Sequence, residues 1–470
     1  MDKYDVVVIG AGPGGYPAAI RAAQLGASVA IVEKEQLGGT CLNWGCIPSK
    51  ALIGAADTFA RIRHAEAFGI KVNGASVDYA TMIGQKDKIV GQLRGGVKQL
   101  LAANGVKVYQ GLASFKDPHN IAVGESVSLG AKTVIIATGS TSAGPSFPPQ
   151  DERVVESRGF LALTQLPKRL VVVGGGYIGC ELACMAAMLG AQVTIVEMLE
   201  DILLLLDKDV RHEVRSHLEK NLGIRILTGK TLETLQTEGG GGGVKVKAGG
   251  EELQGDVVLM AVGRKPVTDG LHKPVTDGLH LENAGLGTSE RGFIEADGYC
   301  RTKVAHVFAV GDVTGKIQLA HYATAQGIAA AENAVRQKPR RHDTVVPNVI
   351  FTSPEVGTAG LSEEDAGKAN RTVKTGKFRF AGLGRALAAG EPIGFVKWIA
   401  DPATGQLLGA AAVGAHATEL IAEATAAIRA ELTLEELGRT IHAHPTFSEA
   451  WMEAAHAALG EAIHAPPRRK

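Results

Sequence analysis

Residues 4–33 read YDVVVIGAGPGGYPAAIRAAQLGASVAIVE and give the strongest indication of the fold. An apolar run leads into a glycine turn, an alanine-rich segment follows, and a second apolar run ends at Glu33. This order predicts a strand, a helix and a second strand, which together form a βαβ unit. Proline is tolerated only in the first turn of a helix, so Pro17 predicts that the helix does not begin much before about residue 14.

The glycine turn has the spacing that accepts a dinucleotide. Gly10 allows the tight turn, Gly12 lets the backbone approach a pyrophosphate, and Gly15 permits close packing of the helix. Glu33 stands 18 residues after Gly15, where a carboxylate accepts hydrogen bonds from a ribose hydroxyl. Because strand, helix, spacing and acidic residue agree, the unit is predicted to bind a dinucleotide.

The arrangement recurs in RLVVVGGGYIGCELACMAAMLGAQVTIVE, residues 169–197, with Gly174, Gly176 and Gly179 in the corresponding places. Glu197 again stands 18 residues after the last glycine. A carboxylate accepts hydrogen bonds from a free 2′-hydroxyl but repels a 2′-phosphate, and residues 198–201 include no arginine. The second nucleotide is therefore predicted to be NAD(H) and not NADP(H).

Three further apolar runs, at residues 134–140, 257–266 and 306–313, each end near a glycine. They are typical of buried strands in doubly wound sheets, which bind ligands at their strand ends. The predicted fold class is α/β, with two Rossmann-like dinucleotide-binding domains.

Length, charge and cysteine content exclude several other classes. A chain of 470 residues is too long for one hydrophobic core, and its zero formal charge and scattered basic residues argue against nucleic acid as a partner. The N-terminus resembles neither a signal peptide nor a membrane span, so a cytoplasmic protein without membrane contact is expected. Five cysteines are too few for a structural disulfide framework, and a close pair is more often catalytic or metal-binding.

Two of those cysteines, Cys41 and Cys46, lie in GGTCLNWGCIPSK, residues 38–50. A regular helix separates the Cα atoms of residues i and i+5 by roughly 8.6 Å, whereas a disulfide needs less than about 7 Å. Gly45 and Pro48 argue for a distorted backbone that would allow a readily reduced bridge. Two buried thiols, or half of a zinc site, are the alternatives that the residues leave open.

The remaining cysteines offer no second pair in such a loop. Cys180 and Cys184 lie four apart beside Ala and Met in the second unit and are interpreted as packed thiols, and Cys300 is isolated. No metal site is predicted.

GGTCLNWGCIPSK, the paired nucleotide units, AVGDV and HAHPTFSE together resemble the pyridine nucleotide-disulfide oxidoreductase family, and within it the members that oxidise dihydrolipoamide. The resemblance runs from about Tyr4 to about Ile463. It implies flavin-dependent oxidation of protein-bound dihydrolipoamide, with reduction of NAD⁺ through a redox-active disulfide and a role in cell redox homeostasis. It further implies FAD in the first unit, NAD in the second, and a C-terminal α+β dimerisation domain.

The resemblance also assigns site residues. It places Cys46 against the flavin, Cys41 at the substrate, and Lys50 near the reactive flavin nitrogen in a pair with Glu181. The implied FAD-binding positions are Gly10, Gly12, Gly14, Gly15, Glu33, Lys34, Gly39, Thr40, Lys50, Ala113, Thr138, Gly139, Ser140, Asp312, Gln318, Leu319, Ala320 and His321. The NAD-binding positions are Gly174, Gly176, Tyr177, Ile178, Gly179, Glu181, Glu197 and Gly263.

The candidate base is His444, in IHAHPTFSEAW. Pro445 restricts the local backbone, and Glu449 stands five residues on, where it can orient the imidazole and stabilise its charged form. The resemblance implies that His444 faces Cys41 of the other subunit of a homodimer. His442 is the alternative base and is interpreted as a supporting residue.

The predicted domains are FAD-binding at residues 1–146 and 273–346, NAD-binding at 147–272, and interface at 347–470. The octapeptide KPVTDGLH at 265–272 is repeated unchanged at 273–280 and is interpreted as an inserted loop.

Other readings within the family are a mercuric reductase, which would be expected to carry a further cysteine pair after Cys300, and a glutathione reductase, which would want a basic NADP site in place of Glu197. An alternative function of a different class is that the chain acts mainly as a docking component of a 2-oxo-acid dehydrogenase complex. The expected partner is its lipoyl-bearing acyltransferase subunit or the glycine cleavage lipoyl protein.

Overall fold

The two βαβ units predicted from the glycine turns form the centres of two parallel sheets in the computed structural model. The structure describes residues 1–142, 151–238, 242–262, 272–274, 276, 278–336, 340–342 and 345–466. Gly263 and most of the 265–280 repeat lie outside the described residues. Within the described part of the chain, no helix is both long and apolar enough to cross a bilayer.

The first unit is built on a sheet with the order β3-β2-β1-β6-β5-β4. The first four of these strands run parallel, and β5 and β4 extend the sheet in antiparallel fashion. Helix α1 begins at Gly15 and has Pro17 as its third residue, which confirms the predicted start. The elements are β1 (Asp2–Ile9), α1 (Gly15–Gln24), β2 (Val29–Glu33), α2 (Gly39–Trp44), α3 (Cys46–Arg63), α4 (Tyr79–Ala103), β3 (Lys107–Gln110), β4 (Ala113–Asp117), β5 (Asn120–Val123), β6 (Val127–Ile136) and β7 (Ser140–Ser142).

The second unit repeats the pattern in the parallel sheet β11-β10-β9-β15-β8 and adds the antiparallel sheet β12-β13-β14. Its elements are β8 (Val154–Val155), α5 (Ser157–Phe160), β9 (Arg169–Val173), α6 (Tyr177–Met188), β10 (Gln192–Val196), α7 (Lys208–Lys220), β11 (Arg225–Leu227), β12 (Leu232–Thr237), β13 (Val244–Ala248), β14 (Glu251–Gly255) and β15 (Val257–Met260).

The chain then returns to the first unit through β16 (His272–Pro274), β17 (Val307–Ala309) and α8 (Ala320–Arg336). Strand β17 pairs in parallel with the end of β6, and β16 pairs with β7. Helix α8 lies against α1, where a Cβ atom on Gly327 would come within 2.1 Å of the Gly14 carbonyl oxygen. Strands β6, β15 and β17 confirm the three apolar runs predicted to be buried strands.

The C-terminal region forms an antiparallel sheet, β18-β19-β22-β21-β20, covered by helices. Trp398 and Trp451 are fully buried with ring centroids 4.6 Å apart, and Trp398 Nε1 donates to the Trp451 carbonyl oxygen at 2.9 Å. This contact holds helix α13 on the sheet. The elements are β18 (Asn348–Ile350), β19 (Val356–Gly360), α9 (Glu363–Lys368), β20 (Lys374–Arg379), α10 (Gly384–Ala388), β21 (Gly394–Ala400), β22 (Leu407–Gly414), α11 (Ala417–Arg429), α12 (Leu434–Arg439) and α13 (Glu449–Leu459).

A buried lysine joins the second unit to this region. Lys397 Nζ, on a residue whose side chain is 1% exposed, lies 2.7 Å from Asp207, 2.9 Å from Asp209 and 2.6 Å from Glu363. Burial alone would lower the pKa of a lysine, but the hydrogen bonds to Asp207 and Glu363 raise the pKa of Lys397 above its ordinary value. The three carboxylates surround an ammonium group where a metal ion would otherwise stand, so we interpret the cluster as an ion-pair network.

Candidate active site

The cysteine loop breaks the helix at the residue that the sequence indicated. Helix α2 ends at Trp44, Gly45 adopts φ −131° and ψ −107°, and α3 begins at Cys46. The break brings the Cα atoms of Cys41 and Cys46 to 4.7 Å, and the two residues form a disulfide. The expectation that a regular helix cannot carry this bridge is confirmed, and the readings as free thiols or half of a zinc site are not what the structure contains.

Asn43, between the cysteines, holds the loop and was not identified from the sequence. Its buried side-chain amide donates to the carbonyl oxygens of Leu37 at 3.0 Å and Gly39 at 2.9 Å. The backbone of the cysteine loop is therefore tied to the segment that follows β2. An asparagine in a loop has many roles, so its spacing alone carried no signal for this one.

The other cysteines are unsuited to nucleophilic chemistry. Cys180, Cys184 and Cys300 are buried free thiols, as the packing interpretation predicted for the first two. Burial raises the pKa of Cys184 and of Cys300 to about 12 and also raises the pKa of Cys180. Since the thiolate is the reactive form, these sulfurs are inert near neutral pH.

Lys50 lies one helical turn beyond Cys46 and meets residues from two other parts of the chain. Its Nζ atom donates to Glu181 Oε2 at 2.7 Å, and it lies 4.5 Å from the centroid of the Phe351 ring. The other oxygen of Glu181 accepts the Phe351 backbone N–H at 2.8 Å. Glu181 is buried, so the pair links helix α3, helix α6 and the segment after β18. The predicted Lys50–Glu181 contact is present, and Phe351 is an addition that the sequence did not indicate.

The two glycine turns have the same internal geometry. Gly10 and Gly174 adopt φ angles of +97° and +111°, which favour glycine. A Cβ on Gly15 would lie 1.8 Å from the Gly10 carbonyl oxygen, and one on Gly179 would lie 2.0 Å from that of Gly174. These four glycines therefore serve the tight turn and the close packing of the helix.

The middle glycine of each turn faces open space instead. The nearest atom to a Cβ built on Gly12 is the Gly39 Cα at 3.8 Å, and no described atom lies within 4 Å of one built on Gly176. A side chain at either position would occupy the space through which a pyrophosphate approaches the backbone. Both turns therefore fit a dinucleotide.

Glu33, the last residue of β2, and Glu197, which follows β10, have the same surroundings in the two units. Glu33 and Glu197 are both buried, and each carboxylate accepts two backbone N–H groups, one from the glycine turn and one from two residues further on. In both units the carboxylate is thus oriented at the edge of the dinucleotide cradle, which is the glycine turn of residues 10–15 in the first unit and 174–179 in the second. The donors are Ala11 at 2.8 Å and Glu35 at 2.8 Å for Glu33, and Gly175 at 2.6 Å and Leu199 at 2.8 Å for Glu197.

The second cradle has an arginine that the local sequence did not show. Arg215, on α7, reaches the loop after β10 and donates to Asp201 at 2.8 Å and to Glu219 at 3.1 Å. Both acceptors are carboxylates, so its charge is already paired. Tyr177 begins α6 with Ile178 behind it, and burial raises the pKa of Tyr177 to about 12.

Several predicted flavin-contacting residues gather beside the first cradle. Ser140 Oγ donates to Asp312 Oδ2 at 2.6 Å, which joins the start of β7 to the turn after β17. The side-chain nitrogen of Gln318 is buried and has no hydrogen-bond acceptor among the described residues. A buried donor without an acceptor is costly, so the site fits a ligand with acceptor atoms at this place.

The remaining predicted positions lie around the same cradle. Gly39 approaches Gly12, and Gly14 packs against Val310, which follows β17, and Ala323 on α8. Gly111 N–H donates to the Glu33 carbonyl oxygen at 2.9 Å, which brings Ala113 at the start of β4 near the acidic end of the cradle. Gly139 adopts φ +72°, and Thr138 precedes it. Lys34 and Thr40 are exposed, Leu319 precedes Ala320 at the start of α8, and the His321 ring faces the Pro347 carbonyl oxygen at 2.7 Å.

The histidine loop lies between α12 and α13. His444 Nδ1 and Glu449 Oε1 are 2.8 Å apart, as the sequence predicted for an oriented imidazole. Burial acts to raise the pKa of Glu449, but the Thr446 N–H and the His444 ring bond to the carboxylate and hold its pKa below the ordinary value. The His444 side chain is 79% exposed, and no described residue hydrogen-bonds its Nε2. One ring nitrogen is therefore free to take a proton.

Comparison with known proteins identifies the architecture. The family model described as pyridine nucleotide-disulphide oxidoreductase matches residues 4–327, and the model of the dimerisation domain of that family matches residues 346–455. The chain belongs to the pyridine nucleotide-disulphide oxidoreductase family. Membership implies FAD and a pyridine nucleotide, and the second match supports a homodimer.

Relatives in this family align from end to end. A dihydrolipoyl dehydrogenase of Haloferax volcanii is 46% identical, covering 98% of this chain and 97% of its own. Another, of Chlamydia muridarum, is 42% identical and covers all of both chains. Among solved structures of the family, LpdA from Mycobacterium tuberculosis has a TM-score of 0.87 at 26% identity, covering 97% of this chain and 99% of its own. The flavoprotein disulfide reductase RclA from Escherichia coli has a TM-score of 0.85 at 28% identity, covering 96% and 99%.

Proposed function

We propose that the chain is a dihydrolipoyl dehydrogenase, which oxidises protein-bound dihydrolipoamide to lipoamide and reduces NAD⁺ to NADH. The observation that carries the proposal is the Cys41–Cys46 disulfide, at the break between α2 and α3, in a chain that aligns end to end with relatives of that name. A disulfide beside the first nucleotide cradle is the group that a dithiol substrate reduces.

The chemistry at the cysteines is two thiol–disulfide exchanges. His444 takes the proton from one substrate thiol, and the resulting thiolate attacks the Cys41 sulfur, so that the Cys41–Cys46 bond breaks and Cys46 leaves as a thiolate. The second substrate thiol then attacks the substrate sulfur bonded to Cys41, so that this mixed disulfide breaks and the departing Cys41 sulfur takes up the proton of that thiol. That step closes lipoamide and leaves both cysteines reduced, with two electrons gained by the protein.

The first cradle would hold FAD, which would supply a two-electron carrier between this dithiol and the nicotinamide. The residues that we assign to its binding are the predicted flavin-contacting positions, and the Lys50–Glu181 pair keeps a cation one helical turn beyond Cys46 on α3. Re-forming the Cys41–Cys46 bond completes the cycle, with one proton released for each NADH formed.

A homodimer completes the site. In the single chain His444 is largely exposed, and no hydrogen bond or ion pair among the described residues joins it to the cysteine loop. We therefore assign His444 to the Cys41 of a second copy, as the dimerisation domain favours. The proposed partner is the lipoyl-bearing acyltransferase subunit of a 2-oxo-acid dehydrogenase complex or the glycine cleavage lipoyl protein, and the proposed location is the cytoplasm.

Anaerobic titration of the flavin-loaded protein with dihydrolipoamide tests the function. We expect the visible spectrum to change at one equivalent of dithiol, with a new long-wavelength band, because a Cys46 thiolate then lies against oxidised flavin. An unchanged spectrum in protein that NADH still bleaches would retain both nucleotides and remove lipoamide as the substrate.

Glu197 is expected to make the enzyme prefer NAD⁺ to NADP⁺. Replacing it by glutamine removes a negative charge but keeps a hydrogen-bonding side chain, so we expect the ratio of kcat/KM for NAD⁺ to that for NADP⁺ to fall by about tenfold or more. Two unit charges 4 Å apart repel by roughly 1–4 kcal/mol near a protein surface, and about 1.4 kcal/mol is tenfold.

The matched control for this test is Glu200→Gln, which removes an exposed charge three residues away. Its ratio should remain close to that of the unmodified protein. Comparable turnover of both nicotinamides by the unmodified protein would contradict the assignment of the second cradle to NAD.

A further inference from the structure

His442 lies two residues before His444 and has the opposite surroundings. Its side chain is 5% exposed, against 79% for His444. Its Nδ1 atom lies 3.0 Å from the Thr440 carbonyl oxygen, and its Nε2 atom lies 2.7 Å from Glu423 Oε1 on α11. Both ring nitrogens therefore face acceptors, whereas His444 has one nitrogen free of described partners.

The two contacts determine how many protons the ring carries. A carbonyl oxygen only accepts hydrogen bonds, so Nδ1 must bear hydrogen. The Nε2 atom lies 2.7 Å from Glu423 Oε1, the length of a charge-assisted hydrogen bond in which a carboxylate oxygen accepts from a protonated ring nitrogen. His442 is then an imidazolium. In agreement, the hydrogen bond from Glu423 raises the pKa of His442 above its ordinary value, although partial burial opposes it.

The charged groups around His442 come from three elements. Glu423 faces it from α11, and Glu449 of α13 contributes a second, more distant negative charge. His444 lies on the same loop and shares Glu449 with it. A cation at His442 is thus balanced by Glu423 and adds to the forces that keep Glu449 ionised for its contact with His444.

The contact between His442 and Glu423 restrains the loop that carries His444. Residues 440–448 form no regular secondary structure between α12 and α13. The second half of this loop is held by Thr446, whose N–H donates to Glu449 at 2.8 Å and whose Oγ1 donates to the Ala443 carbonyl oxygen at 2.7 Å. The first half is held by the contact between His442 and Glu423. Without it, the residues just before His444 lose the hydrogen bond that ties them to α11.

We propose that His442 is a positioning residue, a doubly protonated ring clamped between Glu423 and the Thr440 carbonyl oxygen, that fixes the 440–446 loop and presents His444 to the substrate. This inference rests on the proposed function in its assignment of His444 as the base. It makes His442 a fixed charge that does not exchange its proton during turnover.

The proton count is tested directly, without turnover, by nitrogen NMR of protein labelled with ¹⁵N-histidine. At pH 8, more than one unit above the ordinary histidine pKa of about 6.5, we expect one ring to remain doubly protonated and its signal to vanish in His442→Gln. The same signal should be lost or shifted in Glu423→Gln. A singly protonated His442 at pH 8 would overturn the inference.

The positioning role is tested by kinetics of His442→Gln, Glu423→Gln and the double variant. We expect each to lower lipoamide-dependent kcat by up to about a hundredfold, the scale of an ångström-sized misplacement, and the double variant to be no worse than either single one. The acidic limb of the pH–rate profile should persist, because the proposed base, His444, is still present in these variants. Additive losses, or an acidic limb that disappears in His442→Gln, would overturn the positioning role.

The chain offers a matched control in His464, which follows α13. Its Nδ1 atom lies 2.7 Å from Glu453 Oε1 on that helix. His464→Gln removes a histidine–glutamate contact of the same chemistry outside the loop and should leave kcat unchanged. Failure of the proposed function would appear as absent lipoamide turnover in the unmodified protein. Failure of the role proposed for His442 would appear as a singly protonated His442 or additive losses, in a protein that still turns over lipoamide normally when unmodified.

Discussion

Replacing Cys46 by serine is expected to lower dihydrolipoamide oxidation by at least about 10⁴-fold, the scale on which covalent mechanisms depend on their nucleophile. The protein has no substitute sulfur. The other three cysteines are buried, and burial raises the pKa of each well above neutral pH. A serine at position 46 cannot form the bridge, so the substrate dithiol would have no disulfide to reduce.

The measurement is lipoamide-dependent NADH formation, set beside NADH-driven reduction of ferricyanide, which does not require the disulfide. We expect the second activity to persist in Cys46→Ser and in Cys41→Ser. Cys300→Ala is the control for removal of a thiol outside the loop, and it should retain both activities. Lipoamide turnover by Cys46→Ser at a rate comparable to that of the control would rule out the proposed route through the cysteines.

Replacing His444 by glutamine is expected to reduce lipoamide turnover by about 10²–10⁴-fold, the usual contribution of a general base. An ordinary thiol with a pKa near 8.5 is only about 3% ionised at pH 7, so the substrate depends on a base to become nucleophilic. His444 has a carboxylate on one ring nitrogen, and its side chain is 79% exposed. Glutamine keeps the size and polarity of the side chain but cannot take a proton.

The pH dependence gives the sharper readout. In His444→Gln the residual rate should rise about tenfold per pH unit up to the thiol pKa, because only the spontaneously ionised fraction of substrate reacts. NADH–ferricyanide activity should be unaffected. His212→Gln, an exposed histidine on α7, serves as the control and should behave as the unmodified protein. A large loss in His442→Gln together with full activity in His444→Gln would reverse the assignment of the base.

Much of this site was accessible from local patterns. The βαβ units, the roles of the three glycines in each turn, the helix break at Gly45 and the contact of His444 with Glu449 all depend on residues within about one element of one another. Glycine spacing and the geometry of a single helix turn are short-range properties, so the order of residues is enough to specify them. The contact between Lys50 and Glu181 came from the family resemblance instead, since 131 residues separate the two.

Other contacts had no sequence signal. Phe351 meets Glu181 across 170 residues, Lys397 meets Asp207 across 190, and Arg215 reaches Asp201 from the next helix. His442 and Glu423 are 19 residues apart on different elements, and nothing in either segment indicates the other. These pairs exist because separate sheets and helices pack together and must satisfy polar groups that packing removes from water.

The order of residues was thus enough to indicate two dinucleotide-binding turns, one cysteine pair able to form a bridge, and a histidine with a carboxylate five residues away. Packing of distant segments then shows that His444 is largely exposed while His442 lies between two acceptors, and which distant residues contact Lys50, Glu181 and the cysteine loop. Local conformation follows from neighbours along the chain, whereas the protonation and orientation of a side chain follow from the acceptors, burial and charges that folding brings to it.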